Sequence, residues 1–203
     1  MIAIIDYGAG NTYNVAKAFQ YLGVQTVLTA DAQTILASEA VVLPGVGAFR
    51  PAMEQLEKRD LINVIKQVAA NKIPLLGICL GMQLLFDSST EYGLHAGLGL
   101  IPGKVIEFSK DMNLSIPQVG WNKNKLLQDK SVFADVAEQY TYFVHSYYAK
   151  CDAKYIVSAV DYGVSVPAIV QNDNVYGMQF HPEKSAQVGL NLLKNFIEEV
   201  VAK

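Results

Sequence analysis

The sequence predicts an α/β fold in one domain over residues 1–203, with an open, mostly parallel central sheet flanked by helices and an antiparallel extension. Two observations support this prediction. Through the first half of the chain, short apolar segments alternate with segments of helical periodicity, a pattern typical of parallel strands buried on both faces. The second half consists mainly of strand-like segments separated by turn residues, which is typical of antiparallel strands.

The first half contains the predicted parallel strands and the helices that connect them. Strands are predicted at residues 2–5, 24–28, 40–45 and 73–78, and helices at 12–22, 49–70 and 80–86. The first helix is supported by Val15, Phe19 and Leu22, which repeat at spacings of four and three residues. The third strand ends in a Pro-Gly turn.

The second half contains the predicted antiparallel extension. Strands are predicted at residues 104–108, 141–149, 155–160, 166–171 and 175–180. A closing helix is predicted at 185–200, because Leu192, Phe196 and Val200 repeat every four residues.

Composition excludes several classes of function. The formal net charge is -3 and no basic run is visible, which argues against a protein that binds nucleic acid through its phosphates. The longest near-apolar run, 73–86, is too short to span a bilayer. Two cysteines and the absence of a basic segment at the N-terminus favour a reducing, cytoplasmic location. We expect neither a cofactor nor a metal.

Cys79 lies between two glycines in the segment GICLG, where a predicted strand gives way to a helix. This is the arrangement of a nucleophile elbow, with cysteine in place of serine. Gly77 and Gly81 would leave room for the tight turn, the helix N-terminus would favour the thiolate, and the N–H of Leu80 would face an oxyanion. A buried core thiol is the alternative, and this motif alone leaves both open.

His181 is the best candidate for the base that a cysteine nucleophile needs. It follows a predicted strand in the segment FHPEK, and Glu183 could orient its imidazole. An ordinary surface turn is the alternative. His95, in a glycine-rich loop, is expected to be solvated, and His145, in an alternating strand, is expected to be a satisfied sheet histidine.

The segment PGVG, residues 44–47, follows the third predicted strand. Its two glycines allow the backbone to approach a ligand closely and to reorient its peptide planes. The loop is therefore a candidate source of a second oxyanion N–H, although taken alone such a segment is more often only a turn.

Together these three segments resemble those of the class I (triad) glutamine amidotransferases, in the order Cys, His, Glu. The segments PGVG, DYGAGN, GWN, YFVHSYY and HPEKS are similar to the branch of that family that serves histidine biosynthesis. Members of this branch work as heterodimers with a (β/α)8-barrel cyclase subunit, which receives ammonia and releases imidazole glycerol phosphate and an aminoimidazole carboxamide ribotide.

The resemblance implies a role for each matching position. Cys79, His181 and Glu183 would hydrolyse glutamine through a thioester. The oxyanion would be held by the N–H of Leu80 and by the loop at Val46 and Gly47. Further positions would contact glutamine, namely Gly45, Gln83, Glu91, Ser146 and Tyr147. Others would face the cyclase, namely Asn11, Trp121, Asn122, Tyr142 and Lys184.

Two alternatives remain open at this point. One is the glutaminase of another amidotransferase, such as that of pyridoxal phosphate synthase, which the segments PGVG and GWN disfavour. The other is a catalytically silent partner that only scaffolds a complex, which the joint presence of Cys79, His181 and Glu183 disfavours.

Overall fold

A nine-stranded sheet forms the centre of the computed structural model, which describes residues 1–109 and 111–201. In spatial order its strands are β2 (Thr26–Thr29), β1 (Ile2–Ile5), β3 (Ala40–Gly45), β4 (Leu75–Cys79), β13 (Val175–Met178), β12 (Ser165–Asn172), β11 (Ile156–Asp161), β8 (Gln118–Leu126) and β9 (Tyr140–His145). The first five pair in parallel and the last four join them in antiparallel pairs. The predicted α/β fold, with its antiparallel extension, is confirmed.

Among the described residues, a smaller sheet and six α-helices accompany the large sheet. The strands of the smaller sheet, in spatial order, are β10 (Tyr147–Lys150), β7 (Ile101–Glu107), β5 (Phe86–Ser89) and β6 (His95–Ala96). The helices are α1 (Thr12–Tyr21), α2 (Ala32–Leu36), α3 (Phe49–Lys58), α4 (Leu61–Ala70), α5 (Leu80–Leu84) and α6 (Ala186–Asn195).

The strands β1, β3 and β4 near the centre of the large sheet are buried on both faces, since their successive residues point to opposite sides and are all buried. Ile4 of β1 enters one apolar cluster with Phe19 of α1 and Leu192 of α6. Its neighbour Ile5 enters a second cluster with Leu56 and the rest of the α3–α4 layer. The carboxyl ends of β3 and β4 are thus fixed from both sides.

Several predicted elements differ from the structure for local reasons. The helix predicted at 49–70 is two helices, because the backbone of Asp60 is left-handed, with a φ of 56°. The helix predicted at 80–86 ends at Leu84, and the next strand begins at Phe86. The strand predicted at 141–149 is two strands that belong to different sheets and meet at Ser146. The closing helix passes from α-helix to π-helix at Phe196.

Strand β8 has no counterpart among the predicted elements, and its side chains explain why. Its buried positions include the amide residues Gln118 and Asn124, whereas its exposed positions include Val119 and Trp121. The usual alternation of buried apolar and exposed polar residues is therefore inverted over much of its length.

No helix within the described residues is long and apolar enough to cross a bilayer.

Candidate active site

Cys79 is both the last residue of β4 and the residue that precedes α5. Its φ is 55° and its ψ is -113°, a conformation that non-glycine residues rarely adopt and that marks a strained turn. Only 6% of the residue is exposed. The predicted nucleophile elbow, residues 77–81, is therefore present as a strand–turn–helix.

The glycines of the elbow are required by contacts between backbone segments. A Cβ on Gly81 would overlap the carbonyl oxygen of Leu43 in β3. A Cβ on Gly77 would lie 2.7 Å from the carbonyl oxygen of Gly81. Neither contact involves a flexible side chain that could move aside, so the structure agrees with the prediction that both flanks of Cys79 must be free of side chains.

His181 and Glu183 form a buried pair beside the elbow. The Nδ1 of His181 lies 2.8 Å from Oε1 of Glu183, and the side chains are 3% and 1% exposed. Asn11 donates a hydrogen bond from Nδ2 to the same carboxylate oxygen, at 3.3 Å. This burial is incompatible with an ordinary surface turn, and it fixes the orientation of the imidazole.

The electrostatics of His181 favour its charged form. Burial lowers the pKa of His181, but hydrogen bonds to Cys79 and Glu183, and their negative charges, outweigh burial and raise the pKa to about 9. Below that pH the imidazole of His181 carries a positive charge beside the Cys79 sulfur. A cationic imidazole beside a cysteine is the environment in which reactive cysteines are found.

A cavity of about 300 Å³ opens in front of Cys79. His181 lines it together with most of the residues predicted for the oxyanion hole and for glutamine, namely Val46, Gly47, Leu80, Gln83, Glu91, Ser146 and Tyr147. Gly45 does not line the cavity, because it is buried at the base of the PGVG loop. Pro117, Val144 and His145 line it without having been predicted.

Gln83 and Glu91 each use one polar group to fix their own position. The Nε2 of Gln83 donates to the carbonyl oxygen of Tyr147 at 2.9 Å and to Oε1 of Gln179 at 3.0 Å. Oε2 of Glu91 accepts from the N–H of Phe49 at 2.6 Å. The remaining oxygen of each side chain is left for a ligand in the cavity.

His145 departs from its predicted role as a satisfied sheet histidine. Its Nδ1 donates to the carbonyl oxygen of Tyr147 at 2.8 Å, but Nε2 is buried without a partner among the described residues. Burial lowers the pKa of His145 to about 4, and the positive charge of His181 adds to this effect against the opposing hydrogen bond to Tyr147. The sequence offered one signal for this residue, since it directly precedes the predicted Ser146–Tyr147 contact.

His95 was expected to be a solvated loop residue, and the structure corrects this. It lies in β6, is only partly exposed, and has a buried Nε2 that lacks a partner within the described part of the chain. It does not line the cavity in front of Cys79.

The residues predicted to face a partner lie in different settings. Trp121 and Tyr142 pair across β8 and β9 with their rings edge to face and their centroids 6.0 Å apart, and Trp121 is 50% exposed. Asn122 is on the opposite face of β8, where it accepts a hydrogen bond from Gln118 at 3.0 Å. Lys184 is exposed, and Asn11 contacts the catalytic carboxylate.

Among residues 1–109 and 111–201, no group of three or more His, Cys, Asp or Glu side chains could hold a metal ion.

The chain is similar to known proteins along nearly its whole length. Residues 3–200 match the family model described as "Glutamine amidotransferase class-I". The protein of Lactiplantibacillus plantarum named "Imidazole glycerol phosphate synthase subunit HisH" is 57% identical, over 100% of this chain and 97% of that protein. A protein of the same name from Lacticaseibacillus casei is 52% identical, over 98% of this chain and 95% of that protein.

Solved structures share the fold at low sequence identity. One described as "Crystal structure of glutamine amidotransferase" has a TM-score of 0.76 at 14% identity and covers 98% of both chains. One described as "Structure of PurLQS from Thermotoga maritima" has a TM-score of 0.73 at 17% identity and also covers 98% of both chains.

Proposed function

The chain belongs to the class-I glutamine amidotransferase family, and we propose that it acts as the glutaminase subunit of an imidazole glycerol phosphate synthase. It hydrolyses glutamine to glutamate and ammonia, and another subunit uses the ammonia in its own synthetic reaction. The observation that carries the proposal is the buried His181–Glu183 pair beside Cys79. The strong identity to proteins named as subunits of that synthase supports this reading over a different glutaminase.

In the first half of the reaction, the Cys79 thiolate attacks the carboxamide carbon of glutamine and the carbonyl electrons move to oxygen. The N–H groups of Leu80 and Val46 stabilise this oxyanion, with Gly47 allowing the loop to present its amide. The imidazolium of His181 gives its proton to the amide nitrogen, the C–N bond breaks, and ammonia leaves. A glutamyl thioester remains on Cys79.

In the second half, water replaces ammonia. Neutral His181 takes a proton from water as the water oxygen attacks the thioester carbon. The C–S bond then breaks, which releases glutamate and restores the thiolate and the imidazolium. Glu183 holds the imidazole in place throughout and stabilises its charge.

Glutamine is held between the elbow and the far wall of the cavity. Gln83 and Glu91 present their free oxygens to its polar groups, and the backbone at Ser146 and Tyr147 closes over it. Gly45 acts indirectly by letting the loop lie against the elbow. A larger residue could not do this, because an added Cβ would come 2.7 Å from the backbone nitrogen of Gly81.

The partner is a (β/α)8-barrel cyclase subunit, in a heterodimer with this chain. Exposed aromatic side chains on the β8–β9 pair support this part of the proposal, because aromatic anchors are enriched at interfaces. The residues that face the cyclase are Asn11, Trp121, Asn122, Tyr142 and Lys184. Ammonia passes into the barrel, which forms imidazole glycerol phosphate and an aminoimidazole carboxamide ribotide.

Two broader features complete the proposal. Residues 1–203 form one amidotransferase domain, which the match over residues 3–200 supports. The protein works in the cytoplasm, where its two free thiols, Cys79 and Cys151, remain reduced.

Replacing the nucleophile separates ammonia supply from synthesis. A cyclase complex that carries Cys79→Ala is expected to lose synthesis from glutamine but to keep synthesis from added ammonium salt at raised pH, where more neutral ammonia is present. Cys151→Ala is the matched control and is expected to keep both. Burial and the nearby charge of Asp152 raise the pKa of Cys151 to about 11, so it does not supply a thiolate.

Two results would contradict the proposal in different ways. Loss of the ammonia-dependent route in an assembled Cys79→Ala complex would mean that this chain does more than donate ammonia. Failure of every (β/α)8-barrel cyclase to bind the chain would overturn the subunit assignment while leaving the glutaminase intact.

A further inference from the structure

Tyr7 is a fully buried phenol that the proposed reaction does not use. It lies two residues after β1, and its ring packs in the apolar cluster that also contains Leu43 and Leu80. Its hydroxyl donates a hydrogen bond to the carbonyl oxygen of Pro44, with 2.8 Å between the two oxygens. Pro44 is the first residue of the PGVG loop, so a side chain from another strand end holds the base of that loop.

The pairing of β1 with β3 ends before it reaches this carbonyl. Strand β1 pairs with β3 only as far as Ile4 opposite Val42. Pro44 lies two residues further along β3, beyond the end of that pairing. A buried carbonyl without a partner is costly, and the Tyr7 hydroxyl supplies the missing donor.

The Tyr7 hydroxyl lies where the loop passes from packed to exposed residues. A Cβ on Gly45 would lie 2.9 Å from the Tyr7 oxygen and 2.7 Å from the nitrogen of Gly81. Val46 and Gly47, the next two residues, are exposed. Gly47 has a φ of 94°, and a Cβ there would meet nothing within 4 Å among the described residues.

We infer that Tyr7 is a positioning residue for the oxyanion hole, holding the Pro44–Gly45 peptide so that only the peptides at Val46 and Gly47 reorient. This inference rests on the proposed glutaminase function. The fixed peptide sets the distance between the loop amide and the N–H of Leu80, because Gly45 is packed against the elbow. A loop free from Pro44 onward would present its amide in many positions, few of which meet the oxyanion.

The hydroxyl remains a donor across the working pH range. Burial, assisted by the negative charge of Cys79, raises the pKa of Tyr7 well above its usual value. The hydrogen bond to Pro44 is therefore present in both halves of the reaction.

The test removes the hydroxyl and keeps the ring. Tyr7→Phe in the cyclase complex is expected to lower kcat for glutamate release about 2- to 10-fold, the range for one hydrogen bond, with KM changed less than about twofold. It is also expected to speed amide hydrogen exchange in segment 43–49. Tyr162→Phe is the matched control, since the Tyr162 hydroxyl donates to the carbonyl oxygen of Ser115 at 2.7 Å on the surface, and it is expected to change neither quantity.

Each contrary result has a distinct meaning. Wild-type exchange of segment 43–49 in Tyr7→Phe would overturn the anchoring role, whatever the kinetics. Faster exchange with unchanged kcat, or a rise in KM alone, would overturn the positioning role. If the wild-type complex releases no Cys79-dependent glutamate, the proposed function itself fails, and anchoring is then judged by hydrogen exchange alone.

Discussion

The two walls of the cavity are built in opposite ways. Around the nucleophile elbow, backbone packs directly on backbone, because glycines at 45, 77 and 81 leave no side chain between β3, β4 and α5. On the other wall, the β8–β9 pair ends the large sheet, buries amide side chains and exposes Val119 and Trp121. The elbow is complete within this chain, whereas the exposed aromatic face of the β8–β9 pair is suited to a partner surface.

The exposed wall is nevertheless joined to the site by backbone hydrogen bonds. The N–H of His181 donates to the carbonyl oxygen of Tyr142 in β9 at 3.0 Å. In return, the N–H of Tyr142 donates to Oγ of Ser185, which itself donates to the carbonyl oxygen of His181. These hydrogen bonds tie the backbone of β9 to the segment that carries His181.

The largest expected effect comes from breaking the elbow. Gly81→Ala would force a Cβ into the carbonyl oxygen of Leu43, and neither backbone segment can yield cheaply. We expect no measurable glutamate release and a marked loss of thermal stability. Gly23→Ala is the control, because a Cβ there meets nothing within 4 Å and only the φ of 80° is unfavourable, at about 1–2 kcal/mol. Comparable stability of the two variants would contradict the backbone-packing argument.

The second-largest effect is expected at the His181–Glu183 pair. Glu183→Gln keeps a hydrogen-bonding side chain but removes its charge, so the pKa of His181 should fall from about 9. We expect kcat to drop roughly 10²-fold, since catalysis by a poorly oriented acid–base group loses much of its 10²–10⁴-fold value. The pH dependence of single-turnover glutamate release should move toward lower pH. An unchanged pH profile would contradict the idea that Glu183 raises the pKa of His181.

A smaller effect is expected on the exposed wall. Trp121→Ala removes a half-exposed ring that contacts Tyr142, so the unfolding free energy should change little. The Kd for the cyclase should rise about 10- to 100-fold, as for a central aromatic anchor. Tyr21→Ala, at a residue 76% exposed on α1, is the control and should bind normally. Equal Kd values for the two variants would contradict the placement of Trp121 at the interface with the cyclase.

The smallest effect concerns stability in acid. The pKa of His145 is about 4 in the folded chain, against about 6.5 when unfolded, so the unfolded state binds more protons between these values. His145 therefore lowers stability as pH falls from 6.5 toward 4, by on the order of 2 kcal/mol at pH 5. His145→Gln should lose less stability between pH 7 and pH 5 than the wild type, as measured by urea unfolding. His95→Gln retains His145 and should behave like the wild type.

The elbow was predictable because its signal is local. A cysteine between two glycines at a strand–helix boundary specifies the turn from five adjacent residues, and strand 40–45 was predicted with the bounds it has in the structure. The β8–β9 wall was harder, because its buried amides are held by hydrogen bonds rather than by hydrophobicity: Gln118 donates to Asn122 of the same strand, and Asn124 donates to Thr141 of β9. The contact of Asn11 with Glu183 depends on tertiary packing that no spacing in the sequence reports. The same is true of the buried Nε2 of His145, which has no partner in the part of the chain that the structure describes.

The carbonyl oxygen of Tyr147 has a consequence for substrate length. It accepts from both Gln83 and His145, which uses both lone pairs and ties α5 to β9 and β10. The far wall is thus held at a set distance from Cys79, whose own position is fixed by the elbow. We therefore expect asparagine, which is one methylene shorter than glutamine, to be the poorer substrate, by the 10- to 200-fold that one methylene is typically worth in selectivity.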